Sequence, residues 1–384
     1  MKIAIVGGGV TGLACAGQLE KLARGRQLPV EILLFEKSRR MGGLIETIQK
    51  RGALLECGPD SLFTEEDWIS AYLKGLDLEI IATNLDRRES FILIGRDFIS
   101  MSEGLKTMTM ADILPFVWNL KSAEDFKGVR YSHFVSFKGG MEALINRMFA
   151  SLSSVTVKLE CGVDMIAREG QGFRIFSSQG EDWVDALCLA LPTQAGAGLL
   201  RTVNTSLSKV LAAIPVRACA TVNLIYSSSS LGRQPQGFGF IVPETEKRLI
   251  SGATFSSLEF SGRSRTGECV IRVFLSERSF PNLPRSTPEE ILRTARMEIE
   301  DILDIQSNPV DHSVRIFADS LPDYQENHEE LVRSVEGKVR EIDGLALGGN
   351  WLNGAGIPRC IQAGEAAAEK LMDYLGRKIP KQEV

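Results

Sequence analysis

Histidine is the scarcest chemistry-bearing residue in this sequence: His133, His312 and His328 are the only three in 384 residues. They form no Ser-His-Asp arrangement and no metal-ligand spacing, which sets aside triad hydrolysis and a metal centre. Seven cysteines, Cys15, Cys57, Cys161, Cys188, Cys219, Cys269 and Cys360, are an odd number and contain no CxxC pair. A disulfide framework and a zinc site are both disfavoured, and a reducing compartment fits. No apolar run approaches the roughly 18 residues of a spanning helix. No signal peptide precedes the first strand either, since Lys2 leads straight into it. A cytoplasmic protein is expected, with any membrane contact peripheral. Excess positive charge is also missing: the net charge of −5 argues against nucleic-acid binding. There is no internal repeat.

What the chain does have is ordinary in bulk, with 44% hydrophobic and 24% charged residues and length enough for two domains with cores of their own. The distinctive stretch is the first fifty residues. Ile3-Ala4-Ile5-Val6 reads as a buried parallel strand, and Leu13, Ala16, Leu19 and Leu22 have helical spacing. Gly7-Gly8-Gly9-Val10-Thr11-Gly12 therefore fills a strand-to-helix turn. There Gly7 permits the tight bend, Gly9 lets backbone approach a pyrophosphate, and Gly12 lets helix and strand pack closely, while N–H groups at the helix start face the phosphates. A second strand, Val30 to Phe35, ends at Glu36, close to the usual interval of about 20 residues for an acid that binds ribose hydroxyls. Glycine turns alone are common; strand, helix, second strand and terminal acid together mark a dinucleotide site. Met41-Gly42-Gly43, beside Arg39 and Arg40, then favours FAD over a nicotinamide cofactor or an empty ancestral site, because backbone there must pass close to the flavin's linker.

Further along, Leu44 to Ile48 reads as a strand, Gly58-Pro59 as a turn out of the nucleotide domain, and residues 66–81 as helix. Gly104 to Ala123 reads as amphipathic helix around Pro115, more simply core-packing than membrane-touching or substrate-covering. After a helix from Glu142 to Leu152, a β-meander is expected over Val155–Leu159, Asp164–Arg168, Phe173–Ser177 and Trp183–Leu191. Its last strand is apolar throughout and returns to the buried sheet, followed by a helix from Thr193 to Leu200. An antiparallel sheet is predicted from Cys219–Tyr226, Gly239–Val242, Leu249–Phe255 and Cys269–Leu275. Thr287-Pro288-Glu289-Glu290 carries a capping box for a helix to Leu303. Leu321 to Tyr324 is a loop before a helix over Glu326–Val339. Leu345 to Trp351 is a strand into a glycine turn, and a final helix runs to Leu375, with a charged, frayed tail from Gly376. The fold class is thus α/β: a discontinuous Rossmann-like FAD/NAD(P)-binding domain (1–58, 136–205 and 342–384) with an α+β substrate domain built on an antiparallel sheet (59–135 and 206–341).

Several motifs now stand together: Gly7 to Gly12, Phe35-Glu36-Lys37 with Gly42-Gly43, Glu56 to Ser61, Phe137 to Gly140, Gly237 to Phe240 with Gly252 to Ser257, Leu321 to Tyr324 with His328, and Gly349 through Gly364. As a set they resemble the FAD-dependent protoporphyrinogen oxidases of the amine-oxidase-like flavoprotein superfamily. The resemblance implies FAD held by Gly7, Gly9, Val10, Thr11 and Gly12, by Glu36, Lys37, Arg40, Gly42 and Gly43, by Gly58, Pro59, Asp60 and Ser61, and by Gly349, Asn350, Gly356 and Ile357. It departs from the family in one large respect: the longer helical subdomain normally found between about Met110 and His133 is mostly absent, leaving a reduced one near 101–135. Ser90 stands where the eukaryotic branch has an arginine for a substrate propionate, and Ser276-Glu277 where many relatives have a diglycine.

The implied reaction is oxidation of protoporphyrinogen IX to protoporphyrin IX in heme biosynthesis, by repeated hydride transfer to flavin, with oxygen or another acceptor reoxidising it. The chemistry is the flavin's, so no catalytic side chain is assigned. Arg87, Arg88 and Arg96 are candidates for a carboxylate clamp, and Phe240, Phe255 and Phe274 for a macrocycle sandwich, although strand aromatics are more often core. His328 reads as a hydrogen-bonded loop residue ahead of a general base. Alternatives are coproporphyrinogen III as substrate, an amine-oxidase-like flavoprotein with an aromatic cage from Trp351 and Tyr324, and a non-catalytic flavin- or porphyrin-binding homologue. A homodimer and peripheral membrane contact accompany the family reading.

Overall fold

A computed structural model describes residues 1–64, 66–87, 89–101 and 133–378. The helix read over Gly104–Ala123, most of the reduced subdomain near 101–135, Arg88 and the end of the tail lie outside the described residues. The chain divides into two units, one of Met1–Gly43, Leu144–Val216 and Asp319–Val384, the other of Leu44–Ala143 and Arg217–Ala318.

The first unit is built on a five-stranded parallel sheet. Its order across the sheet is Val155–Lys158, Glu31–Phe35, Lys2–Val6, Ala186–Ala190 and Leu345–Gly348. The central strands are apolar on both faces, as burial on both faces requires: Ile3, Ile5, Leu34, Leu187 and Cys188 are all fully buried. Order reverses at Lys2–Val6, a topological switch point, so the carboxyl ends of the central strands form the crevice where such sheets bind ligands. The helices Val10–Gly25 and Ile357–Lys378 pack against each other. Gly364 permits the contact, since a Cβ there would sit 2.2 Å from the Thr11 carbonyl oxygen.

The meander read from sequence is corrected in this unit. Val155–Lys158 is not part of the meander; it pairs in parallel with Glu31–Phe35 at the sheet edge, Val155 opposite Ile32. The meander proper has three strands, Val163–Glu169, Gly172–Ser177 and Gly180–Val184. A short β-rich run carries no signal for which partner it will choose, so local pattern could not separate the two. Glu20 helps decide the outcome: its carboxylate accepts N–H groups from Ser153, at 2.9 Å, and Ser154, fixing the entry into the edge strand.

The second unit holds a seven-stranded sheet ordered Asp311–Pro322, Val216–Ser227, Glu268–Ser276, Gly252–Phe255, Gly239–Ile241, Ser90–Ile94 and Asp97–Ser100. It is mixed rather than purely antiparallel, because Gly239–Ile241 and Ser90–Ile94 run parallel. One face is covered by the helix Pro288–Leu303, whose Ile291, Ala295, Ile299 and Ile302 enter the core beside Val222, Leu224, Ile271 and Val273. Its start has the expected capping box: Thr287 Oγ1 accepts from the Glu290 N–H, and the Glu290 carboxylate accepts from the Thr287 N–H at 2.9 Å.

Other elements differ locally from the sequence reading. The helix expected over 66–81 stops at Gly75, and Ile80–Ala82 becomes a strand against Phe134–Phe137. The strand expected at Leu44–Ile48 forms instead at Thr47–Lys50, paired with Ala53–Glu56. That hairpin packs Ala53 and Leu55 on Ile225 and Val270, which places 44–58 in the second unit. Leu321 and Pro322 end a strand rather than forming a loop. Helix His328–Arg340 buries Val332, Val335 and Val339 with Leu345 and Leu347, so it falls in the first unit.

Candidate functional site

At the carboxyl edge of the parallel sheet, Val6 leads into Gly7, whose φ of +111° suits glycine. Gly8 donates its N–H to Glu36 Oε2 at 2.7 Å, and Ser38 donates to Glu36 Oε1 at 2.8 Å. Each carboxylate oxygen keeps a further lone pair for a ribose hydroxyl. Gly9 starts the helix with no side-chain cap, and no acid occupies the first turn. The positive end of the helix dipole and its leading N–H groups are thus left for an anion. The space beyond Gly9 is open, with no atom within 4 Å of where a Cβ would stand.

The second diglycine runs alongside the first. Gly42 donates its N–H to the Gly8 carbonyl at 2.8 Å, and a Cβ on Gly43 would lie 3.4 Å from Gly9 Cα. Arg40 braces this loop by donating to the carbonyls of Met41 (3.1 Å) and Gly43 (2.8 Å), while Lys37 is exposed. On the other side of the central strand, Leu345–Gly348 opens into Gly349-Asn350-Trp351, and the last helix begins at Ile357, directly after Gly356. Thr11 lies under Gly348, so the two glycine turns share one edge of the sheet. An uncapped helix start, an open Gly9 and a carboxylate with spare lone pairs fit the pyrophosphate and ribose of FAD.

Trp351 and Tyr324 do not form an aromatic cage. Trp351 is 2% exposed and its indole donates to the Leu191 carbonyl at 3.3 Å, while Tyr324 donates its hydroxyl to the Asn350 carbonyl. His328 is held as a structural residue, with Nε2 2.8 Å from the Trp351 carbonyl oxygen.

In the second unit Gly58-Pro59-Asp60-Ser61 is bound into a buried ionic cluster. Arg272 pairs with Asp60 at 2.7 Å and donates to the Gly58 carbonyl. Arg263 pairs with Glu56 at 3.4 Å and donates to Ser136, whose hydroxyl donates to the Asp60 carbonyl at 2.7 Å. Glu56 also accepts from Thr47 Oγ1 (2.8 Å) and the Met141 N–H (2.9 Å). Glu259, buried beside Asp60 and the two guanidiniums, is the third carboxylate. Three acids thus stand against two cations, Asp60 at the partly exposed edge and Glu56 and Glu259 buried, and the excess is met by proton uptake at the buried pair. Burial above all pushes the Glu259 carboxyl well up, and it pushes Glu56 up to about 7 against the opposing pull of Arg263.

The folded-state value for Glu56 lies above its ordinary 4.5. The folded protein therefore binds the extra proton between those values, and its contribution to stability is present at low pH and lost as pH rises through about 7. The stability of Glu56→Gln relative to the parent is expected to improve by roughly 3 kcal/mol between pH 5 and pH 8, at about 1.4 kcal/mol per pK unit. Denaturant unfolding at the two pH values measures it, and a flat difference would refute the shift.

The substrate candidates from sequence scatter. Phe240 and Phe255, 4% and 1% exposed, belong to the sheet's covered core and present no ring to a ligand. Arg96 is committed to Asp301, at 2.9 Å, on the surface. Arg87 ends the 3₁₀ turn Leu85–Arg87. Phe274 is half-buried on the opposite face from that core, with the Arg272 guanidinium 4.6 Å from its ring centre. Sequence reasoning overlooked Arg263, Glu259 and Arg272. The one available signal was a charge at Arg272 inside the apolar run Val270-Ile271-Arg272-Val273, which implies a buried partner.

A family model for flavin containing amine oxidoreductases matches residues 85–372, three-quarters of the chain. The chain belongs to this family. A second model, for NAD(P)-binding Rossmann-like domains, covers residues 5–76. This flavin-containing amine oxidoreductase is 21% identical to a coproporphyrinogen III oxidase of Bacillus subtilis, over 97% of this chain and 98% of that one. That alignment runs to 463 positions, longer than this chain, so the relative carries residues absent here. It is 23% identical to the chloroplastic protoporphyrinogen oxidase of Oryza sativa, over 62% of this chain and 47% of the relative. An Exiguobacterium crystal structure described as a candidate protoporphyrinogen oxidase superposes with a TM-score of 0.81 at 21% identity, covering 98% and 99% of the two chains. The cofactor is FAD and the protein an FAD-dependent oxidoreductase. Among the described residues no helix is long and apolar enough to cross a membrane.

Proposed function

We propose that this chain oxidises a porphyrinogen with FAD, and that coproporphyrinogen III is its substrate ahead of protoporphyrinogen IX. The observation that carries the redox half is the uncapped helix start at Gly9 with Glu36 and Gly42-Gly43 beside it. Support for the substrate comes from the curated relatives: the coproporphyrinogen III oxidase aligns from end to end and the chloroplastic protoporphyrinogen oxidase over less than half its length, while the Exiguobacterium structure, also matched end to end, keeps protoporphyrinogen IX as the competing substrate. The sequence motifs favour protoporphyrinogen IX; the end-to-end relative is the support for placing coproporphyrinogen III ahead of it. The bound cofactor supplies the hydride acceptor, with oxygen or another oxidant as final acceptor. The chain's own part is placement: Glu36 orients the ribose, the helix start neutralises the pyrophosphate, and Arg40 keeps the second glycine loop in register.

Anaerobic addition of coproporphyrinogen III to the purified holoprotein is expected to bleach the oxidised flavin and generate coproporphyrin fluorescence. Faster bleaching by protoporphyrinogen IX would reverse the substrate order. Porphyrin binding without bleaching by either would make the chain a binding homologue and sink the proposal.

A further inference from the structure

We infer that Tyr324 and His328 are positioning residues for the flavin cradle, setting the turn Gly349-Asn350-Trp351 by holding two successive carbonyls. Tyr324 donates its hydroxyl to the Asn350 carbonyl, and His328 Nε2 lies 2.8 Å from the Trp351 carbonyl oxygen. A carbonyl only accepts, so His328 carries a proton on Nε2 and donates it here. Its other nitrogen is buried and, among the described residues, has no partner. The two rings meet edge to face with centres 4.6 Å apart, so neither anchor can swing away without disturbing the other. Burial keeps the Tyr324 hydroxyl protonated by pushing its pKa up, which preserves it as a donor.

The anchors are themselves anchored. Asp323 donates its N–H to the Pro215 carbonyl at 2.9 Å, His328 its N–H to the Gln325 carbonyl at 2.9 Å, and the helix behind them buries Val332 and Val335 in the same core as Trp351. The turn is pinned at two more points, by the Trp351 indole on Leu191 and by the Leu352 N–H on the Gly349 carbonyl at 3.3 Å. In a trans peptide the carbonyl and the following N–H point in opposite directions. Holding the Asn350 carbonyl on Tyr324 therefore directs the Trp351 N–H away from it. The turn is held by side chains 23 to 26 residues earlier in the chain as well as by its glycine, where a Cβ would lie 2.8 Å from the Trp351 indole nitrogen.

The inference rests on the reading of this turn as part of the FAD cradle. The test is FAD titration of apoprotein followed by flavin fluorescence, with melting of apoprotein and holoprotein alongside. Tyr324→Phe and His328→Leu are each expected to raise the FAD dissociation constant about tenfold, the scale of one buried hydrogen bond with its stranded acceptor. His328→Gln, which keeps a donor, is expected to stay within about threefold of the parent. Apoprotein melting points should move by no more than about 3 °C, with a larger drop in the holoprotein. Unchanged dissociation constants, or apoprotein and holoprotein falling in step, would overturn the inference as a merely structural effect. A parent chain that takes up no FAD overturns both the inference and the flavin reading beneath it.

Discussion

Gly9→Val is expected to yield a folded apoprotein that no longer retains flavin. The backbone at Gly9 has φ −74° and ψ 179°, which any residue adopts, and a side chain there meets no protein atom within 4 Å. Removal of glycine's freedom thus costs the empty protein little. The added isopropyl group would instead fill the space before the uncapped helix start, where the pyrophosphate approaches. A loss of about 100-fold in FAD affinity, near 3 kcal/mol, is expected, read by titration and by the flavin absorbance of the purified protein. Gly12→Val is the contrast. A Cβ at that position would lie 1.8 Å from the Gly7 carbonyl oxygen, so strand and helix must separate and the apoprotein itself should melt early. Normal flavin content in Gly9→Val would remove the pyrophosphate from this turn.

The second large effect is stability of the second unit. Arg263 is 1% exposed, lies 3.4 Å from Glu56, stacks near Phe260 and donates to Ser136. Arg263→Met keeps much of the volume but leaves the buried Glu56 and Glu259 and the partly exposed Asp60 with one cation. Breaking a buried pair by removing one partner costs about 3 to 5 kcal/mol, and that loss is expected at pH 8. Below pH 7 Glu56 can take up a proton, so the penalty should shrink toward the packing cost alone. Denaturant unfolding at pH 6 and pH 8 separates the two contributions. A loss under about 1 kcal/mol that ignores pH would mean that Arg263 does not neutralise the cluster.

The nucleotide half of the molecule was legible because its signals are local. Gly7, Gly9, Gly12 and Glu36 lie within thirty residues, and their roles follow from one strand-turn-helix-strand whose period can be counted. The capping box at Thr287 and Glu290 was legible for the same reason, three residues apart on one turn. The substrate half was less so. Phe240 and Phe255 alternate with residues of the other face, and only the finished sheet shows that their face is the one under the helix Pro288–Leu303. Arg96, a candidate for a carboxylate clamp on sequence alone, is committed to Asp301, over 200 residues on.

By itself, then, the amino-acid order determined a parallel nucleotide-binding sheet, a discontinuous domain closed by the C-terminal strand and helix, and a flavin as the guest. Tertiary structure alone decided three things: which sheet Val155–Lys158 joins, which residues steer the Gly349 turn, and that Glu56, Asp60, Glu259, Arg263 and Arg272 form one cluster. The physical reason is common to all three. Strand pairing, carbonyl anchoring and charge pairing in a dry interior depend on distance in space: Arg272 inside an apolar run implies a buried partner, but nothing in the sequence says that the partner is Asp60, over 200 residues earlier.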